Sequence, residues 1–493
     1  MIARVTILGA VTASLLATST ALAARTDLSI GMVLEPPHLD PTAGAAAAID
    51  EVVYANVFEG LTRIGRDGSV QAALAESWTI SEDGLTYTFN LRGGATFHDG
   101  SALDAGDVVF SLNRARGDES TNAQKALFDA IESIEAANDD TVIVALSRPQ
   151  GSFLYNMGWG DAVIVAPESA DGNKEMPIGT GPFKFTNWSQ GSSVQLDAYE
   201  GYWGDAPALE TVVFRFIPDA AAATAALLAG DVQAFPNLPA PESIPVFEAD
   251  PRFTVVIGST EGETILSTNN GKPPFDNIKV RQALAHAIDR QAIIDGAMFG
   301  LGTPIGTHFA PHHPAYVELI ETYPYDPEKA KALLAEAGFA DGISGTLKLP
   351  PPSYARRGGE IIAAQLREVG IDMEIVPVEW GQWLEQVFNA KDYDLTIVSH
   401  TEPNDIAIYA RDDYYFDYNN ADFKTVIEEL DATADPNRRI VLFRQAQEII
   451  TNDAVNAYLF QLAKNGVWDA KLEGMWENSP VQANDVTGVR WVE

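Results

Sequence analysis

The stretch Ser81–Arg114, SEDGLTYTFNLRGGATFHDGSALDAGDVVFSLNR, constrains this chain more than any other. From Thr86 to Leu91 it alternates, with Tyr87, Phe89 and Leu91 on one side and Thr86, Thr88 and Asn90 on the other. A period of two predicts a half-buried strand. Gly93-Gly94 and Asp99-Gly100 then turn the chain. Asp104 is placed to cap a helix, Asp107 follows three residues on, and Val108, Val109 and Leu112 supply its apolar face. A strand, two turns and a capped helix this close together point to a mixed α/β fold.

The same alternation runs on. Leu28 to Leu34 reads as a strand, and the Ala-rich run from Ala43 leads into a helix through Tyr54. Thr141–Leu146 and Thr211–Phe216 read as strands, and Ala220–Ala229 as a helix stopped by Gly230. Asp276 is expected to cap a helix beginning at Asn277, with Val280, Leu284, Ala287 and Ile288 inward, and Asp289 to cap the next. Asp326-Pro327-Glu328 opens another helix with the residue types its exposed N–H groups favour. Glu360–Val369 reads as a helix, Ile371–Val378 as a strand, Gln382–Phe388 as a helix and Tyr393–Val398 as a strand. Alternation of this kind argues for α/β lobes with mixed or parallel sheets. The loop Pro177–Phe183 either brings glycine N–H groups to a partner or is a plain turn between domains; no Gly-Lys-Ser/Thr follows, so it is not a phosphate loop.

Residues 1–23 read as a cleavable export signal. Arg4 precedes a mostly small or apolar stretch, and Ala21-Leu22-Ala23 is a small-x-small cleavage site. The stretch is too short for a membrane span. The sequence has no cysteine, which excludes disulfides, thiol catalysis, thiolate metal sites and a lipid anchor on an N-terminal cysteine. The formal charge of −37 repels nucleic acid and anionic lipid and is read as a solvating acidic surface.

The Ser81–Arg114 segment closely resembles the signature of the bacterial extracellular solute-binding proteins of the peptide/nickel type (family 5), the receptors of ABC importers. The strings PIGTGPF, NNGKPPFDNIKVRQALAHAIDRQAIID and YDPEKAKALLAEAG are similar to that family as well. The resemblance covers nearly the whole chain after residue 23. It implies a two-lobed periplasmic binding protein of type II, cluster C, with an extra domain inserted in lobe 1. The implied division is lobe 1 at 24–268 plus 465–493, carrying the inserted subdomain at about 60–175, and lobe 2 at 269–464, with a hinge strand near Ile265–Asn269. It implies a monomeric periplasmic receptor with no cofactor and no catalytic residue, working with two permease and two ATPase subunits in the inner membrane.

Such receptors close on a solute held between their lobes. The segment PSYARRGGEIIAAQLREVGIDMEIVPVEWGQW resembles dipeptide-binding proteins, in which an arginine of the paired motif binds the peptide carboxylate; this implies Arg356 or Arg357. Their amine-binding Asp lies in a loop after the following strand, which points here to Glu402 or Asp405, although that loop is shorter in this chain. Tyr409, Tyr414 and Tyr415, in a run with Phe416 and Tyr418, read either as core or as a wall for a cationic, zwitterionic or sugar ligand, and Trp380 and Trp383 join them. His308, His312 and His313 form a histidine cluster without a recognisable metal spacing, so no metal site is assigned. The leading expectation is a receptor for a peptide or other zwitterionic, amino-acid-derived solute. An oligosaccharide or opine-like solute is the alternative. An exported hydrolase is the distant one, since neither G-x-S-x-G nor H-E-x-x-H occurs.

Overall fold

The computed structural model describes residues 25–44, 46–402, 404–433 and 435–492. The expected export signal, residues 1–23, lies outside the described residues. Two long antiparallel strands, Phe253–Thr268 and Asn456–Asp469, form the spine of the fold. Their pairing shifts register between Ser259 and Glu263. On one side of that break the sheet continues through strands 234–235, 27–32, 211–216, 193–198 and 183–189. On the other it continues through 395–400, 343–349 and 371–377. One eleven-stranded mixed sheet therefore passes from one lobe into the other.

Each side has its own core. Leu28, Ile30, Phe58, Phe183, Phe214 and Trp468 pack in the first. Leu266, Val280, Leu284, Leu347, Ile362 and Phe460 pack in the second, beside an aromatic cluster built on Tyr393, Tyr409, Tyr415 and Phe416. Ile265 and Leu266 already belong to the second side, so the chain crosses earlier than the expected Ile265–Asn269, at Thr260–Gly262 where the ladder is interrupted. A further core runs from Leu61 to Ala166 around a separate four-stranded antiparallel sheet, 75–80, 86–91, 141–146 and 131–138 in spatial order. In it the alternation of Thr86–Leu91 appears as burial of Tyr87, Phe89 and Leu91, each contributing on the order of 2 kcal/mol.

Local chemistry sets most helix starts. Asp104 and Asp107 satisfy each other's backbone N–H groups at the head of Ala105–Arg116. Asp219, Asp289 and Asp326 each accept from an N–H of the first turn that follows. At Ile278–Ala287 the cap is Asn277, not Asp276: Asn277 has the extended backbone and accepts from Lys279 N–H, whereas Asp276 N–H is spent in the preceding turn on Lys272. The helix expected from Glu360 starts at Ser353 and runs to Glu368. Gly358-Gly359 disfavours that extension locally, but tertiary packing requires glycine there: a Cβ on Gly359 would lie 2.4 Å from Leu349 Cδ1. The expected helix Gln382–Phe388 is instead a short α-turn, Trp380–Trp383, followed by a π-helical stretch, Leu384–Asn389. The strand expected at Tyr393–Val398 is shifted to Leu395–His400, which carries His400 to its carboxyl end.

Candidate functional site

Strands 343–349, 371–377 and 395–400 run parallel, and their carboxyl ends share one edge. Arg356 follows the first, Glu379 and Trp380 the second, and His400 to Asp405 the third. Ligands of open α/β sheets bind at such edges. Tyr354, in the helix that carries Arg356, accepts from Ser399 N–H at 3.3 Å and ties that helix start to the His400 segment.

At this edge the structure assembles a cluster of carboxylates and imidazoles. His308 is fully buried, with Nε2 2.8 Å from Asp405 Oδ1. His400 places Nδ1 3.7 Å from Asp405 Oδ2 and Nε2 3.1 Å from Tyr415 Oη. Burial lowers the His400 imidazole to about 4, against the opposing pull of Asp405. Glu263 stands directly opposite His400 across the strand pair. Burial, and then the charges of Asp405 and Glu261, push its carboxyl well up. Glu402 is raised by burial and then by Asp405. Around this group His312 is bonded to Glu261, and His313 Nε2 lies 2.8 Å from Asn404 Oδ1. Among the described residues, no lysine or arginine forms an ion pair with Glu261, Glu263, Glu402 or Asp405.

The first lobe faces this cluster. Thr401 is bonded to Gln482, whose neighbours Val481 and Ala483 pack with Tyr54 and Ile64. Between the lobes lies a cavity of about 20 Å³ lined by Asp50, Tyr54, Trp159, Gly160, Thr401 and Gln482. That is room for about one water-sized group. Burial raises Asp50, and it raises Asp161 to about 7 with Glu402 adding to the effect. Carboxyl groups of both lobes thus converge where the lobes meet.

The expected site residues fall into two groups. Glu402 and Asp405 are in the cluster. Arg356 lies at the same sheet edge, where Nη2 donates to Val378 O at 3.3 Å and to Glu379 Oε1 at 3.2 Å, while its Nε is buried without a partner. Arg357 points elsewhere, 3.9 Å from Glu242 and over the ring of Phe299 at 5.5 Å. Tyr409, Tyr414 and Tyr415 do not form a ligand wall. They are buried in the aromatic core at 1%, 8% and 0% exposure, because the run folds back on Phe388, Tyr393 and Phe423. Tyr409 and Tyr415 instead sit behind the cluster and bond the outer nitrogens of His308 and His400. Trp383 is core too, donating from Nε1 to Thr396 Oγ1 at 2.9 Å, and only Trp380, stacked on it at 5.2 Å, keeps a face in solvent.

His308, His400, Glu263, Asp50 and Asp161 are the members that sequence reading did not assign. The histidine-rich string around His308 was a visible signal. The pairing of Glu263 with His400 was not, because strand register leaves no local trace.

Comparison with known proteins places the fold and the family. Residues 69–404 match the description "Bacterial extracellular solute-binding proteins, family 5 Middle". The chain is 33% identical over 425 residues to the dipeptide-binding protein of Escherichia coli, covering 77% of this chain and 79% of that protein. It superposes with a TM-score of 0.86 and 27% identity on the Helicobacter pylori ABC transporter-associated periplasmic binding protein DppA in complex with peptide STSA, covering 95% and 98% of the two chains. The agropinic-acid complex of AgaA from A. tumefaciens gives a TM-score of 0.84 and 25% identity, with 95% and 99% covered. The fold is thus the two-lobed type II periplasmic-binding-protein architecture. The chain belongs to the bacterial extracellular solute-binding proteins, family 5. It is the solute-binding component of an ABC importer, and the relatives named here are binding proteins.

Proposed function

We propose that the chain captures a small zwitterionic solute, a peptide or another amino-acid-derived molecule. In this reading Glu402 and Asp405 hold its ammonium group and Arg356 its carboxylate. The observation that carries it is the polarity of one sheet edge: Glu402 and Asp405, with which no lysine or arginine pairs among the described residues, and a guanidinium with a buried Nε that has no partner at Arg356. Dipeptide- and opine-binding relatives support the same class. The cavity between Asp50, Tyr54, Thr401 and Gln482, at about 20 Å³, is far too small for a dipeptide, so the solute enters an opened form and shifts the population toward closure. The opening pivots at Thr260–Gly262, between a first lobe that runs up to that crossing and returns from about 465 and a second lobe that runs from it to about 464, with the subdomain at about 60–175 moving with the first. The chain is exported to the periplasm through residues 1–23, acts as a monomer, and delivers its solute to a permease pair driven by two ATPase subunits.

The test is a calorimetric panel of dipeptides, opines and oligosaccharides, joined to mass spectrometry of any molecule that co-purifies. A zwitterion is expected to bind, and Arg356→Ala to weaken it by about 2–5 kcal/mol through loss of a charged contact. A neutral glycan binding equally well to Arg356→Ala would overturn the reading.

A further inference from the structure

We infer that the interlobe cavity walled by Asp50, Tyr54 and Trp159 and closed by Thr401 receives the cationic head of a basic side chain, so that the solute carries a lysine- or arginine-like group and a net positive charge. The inference deepens the proposed function. It rests on a solute held at its ammonium and carboxylate by Glu402, Asp405 and Arg356, and it adds the charge of its side chain.

The chemistry of the lining points to a cation. Asp50 lines the cavity, and its Oδ1 is buried without a hydrogen-bond partner. Among the described residues it is the one charged member of the lining, and no lysine or arginine pairs with it. A carboxylate oxygen buried in this way costs free energy until a proton or a cation meets it. Tyr54 and Trp159 supply aromatic walls. The Tyr54 hydroxyl is already used, donating to Gly158 O at 2.7 Å and accepting from Ile64 N–H at 2.9 Å, so the ring is what it offers the cavity. A carboxylate beside aromatic faces selects an ammonium or guanidinium over a neutral or apolar group. Gly160 makes room for that carboxylate: a Cβ there would lie 2.0 Å from Asp50 Oδ1. Thr401 and Gln482 are bonded to each other across the lobes, so they shut the cavity and add no charge.

The surroundings call for positive charge as well. Burial raises the Asp50 carboxyl, and Asp161 and then Glu51 raise it further. Asp161 directly follows Gly160, and Glu402 directly follows Thr401, so each lobe brings a further carboxyl next to the cavity wall. Closing the lobes therefore gathers like charges, and a cation held between them offsets the repulsion. The size fits only a head group. About 20 Å³ is the scale of one ammonium or the end of one guanidinium, and the body of the solute stays at the sheet edge outside it.

Calorimetry on the wild-type protein at neutral pH compares matched dipeptides: lysyl-alanine and arginyl-alanine against methionyl-alanine and glutaminyl-alanine, together with the reversed sequences. The best basic peptide is expected to bind about tenfold or more tighter than its neutral counterpart. Asp50→Asn, which keeps the shape and removes the charge, is expected to weaken the basic peptide about tenfold. The exposed Asp372→Asn, at the amino end of strand 371–377, is expected to leave it unchanged. Because an Asp50 variant can misfold, the wild-type comparison is a reading by itself, and a crystal structure with the tightest basic peptide is another. A side-chain nitrogen within about 3 Å of Asp50 Oδ1 supports the site. Equal affinity for basic and neutral peptides, a preference for basic peptides that survives Asp50→Asn, or a side-chain nitrogen bound away from Asp50 would overturn it. Agmatine, a guanidinium compound with no carboxylate, separates the two readings. Neutral peptides that bind as tightly as basic ones remove only the side-chain charge. Agmatine binding as tightly as the basic peptides removes only the zwitterion, and no binding by any of these probes removes both.

Discussion

The hydroxyl of Tyr409 lies 3.1 Å from His308 Nδ1, while the other nitrogen of that imidazole lies 2.8 Å from Asp405. A residue that looks, in sequence, like part of a stacking wall is therefore a post behind the acidic cluster. Asn456 Nδ2 donates to the same hydroxyl at 3.0 Å. Tyr458 Oη donates to it as well at 3.4 Å, so Tyr409→Phe removes a partner from all three groups without changing the packing volume. The expected cost is about 1–3 kcal/mol, seen as a lower urea midpoint at unchanged slope.

Trp380 and Trp383 stack at 5.2 Å but carry different weights. Trp383 is 3% exposed and Trp380 44%. Trp383→Ala is expected to cost about 3–5 kcal/mol as a core truncation. Trp380→Ala should stay within about 1 kcal/mol. Equal losses in chemical denaturation would contradict the assignment of Trp383 to the core.

Glu59 gives a pH dependence with a definite sign. Burial raises its carboxyl from an ordinary 4.5 to about 7, although Trp203, Thr180 and Tyr202 all bond it. The folded state then binds more protons than the unfolded one between those values. The stability tied to Glu59 is present below about 4.5 and is lost as pH rises toward 7. The size is on the order of 3 kcal/mol. In Glu59→Gln the amide oxygen can accept from Trp203 and Thr180 while the amide nitrogen donates to Tyr202. The difference in stability between variant and wild type is therefore expected to move in the variant's favour across that window, measured by urea denaturation at a series of pH values.

The loop Pro177–Phe183 is tied into the fold through its glycines. Gly181 N–H donates to Val57 O, and Gly179 O accepts from His98 N–H, both at 2.9 Å. A Cβ at Gly179 would sit 1.9 Å from Val57 O, a backbone atom that cannot swing aside. Gly179→Ala is expected to cost about 1–3 kcal/mol or more, read as a lower thermal midpoint. An unchanged midpoint would show the loop to be free of that contact.

The chain's local chemistry determined where the capped helices such as Ala105–Arg116 and Pro327–Glu336 begin, which strand faces are apolar and that strands and helices alternate, because caps, turns and periodicity act within a few residues. Asp104 with Asp107, Asp326 with Pro327 and the face of Thr86–Leu91 were legible for that reason. The resemblance that implies Arg356 or Arg357, and Glu402 or Asp405, as ligand positions was visible in the sequence too, as pattern. Only the tertiary structure decided that Glu263 faces His400, that Tyr409 and Tyr415 stand behind the cluster and that Asp50 and Asp161 meet it from the other lobe. Those relationships depend on strand register and on how two separate cores come together, and both are set by the sum of many distant contacts that no short segment encodes.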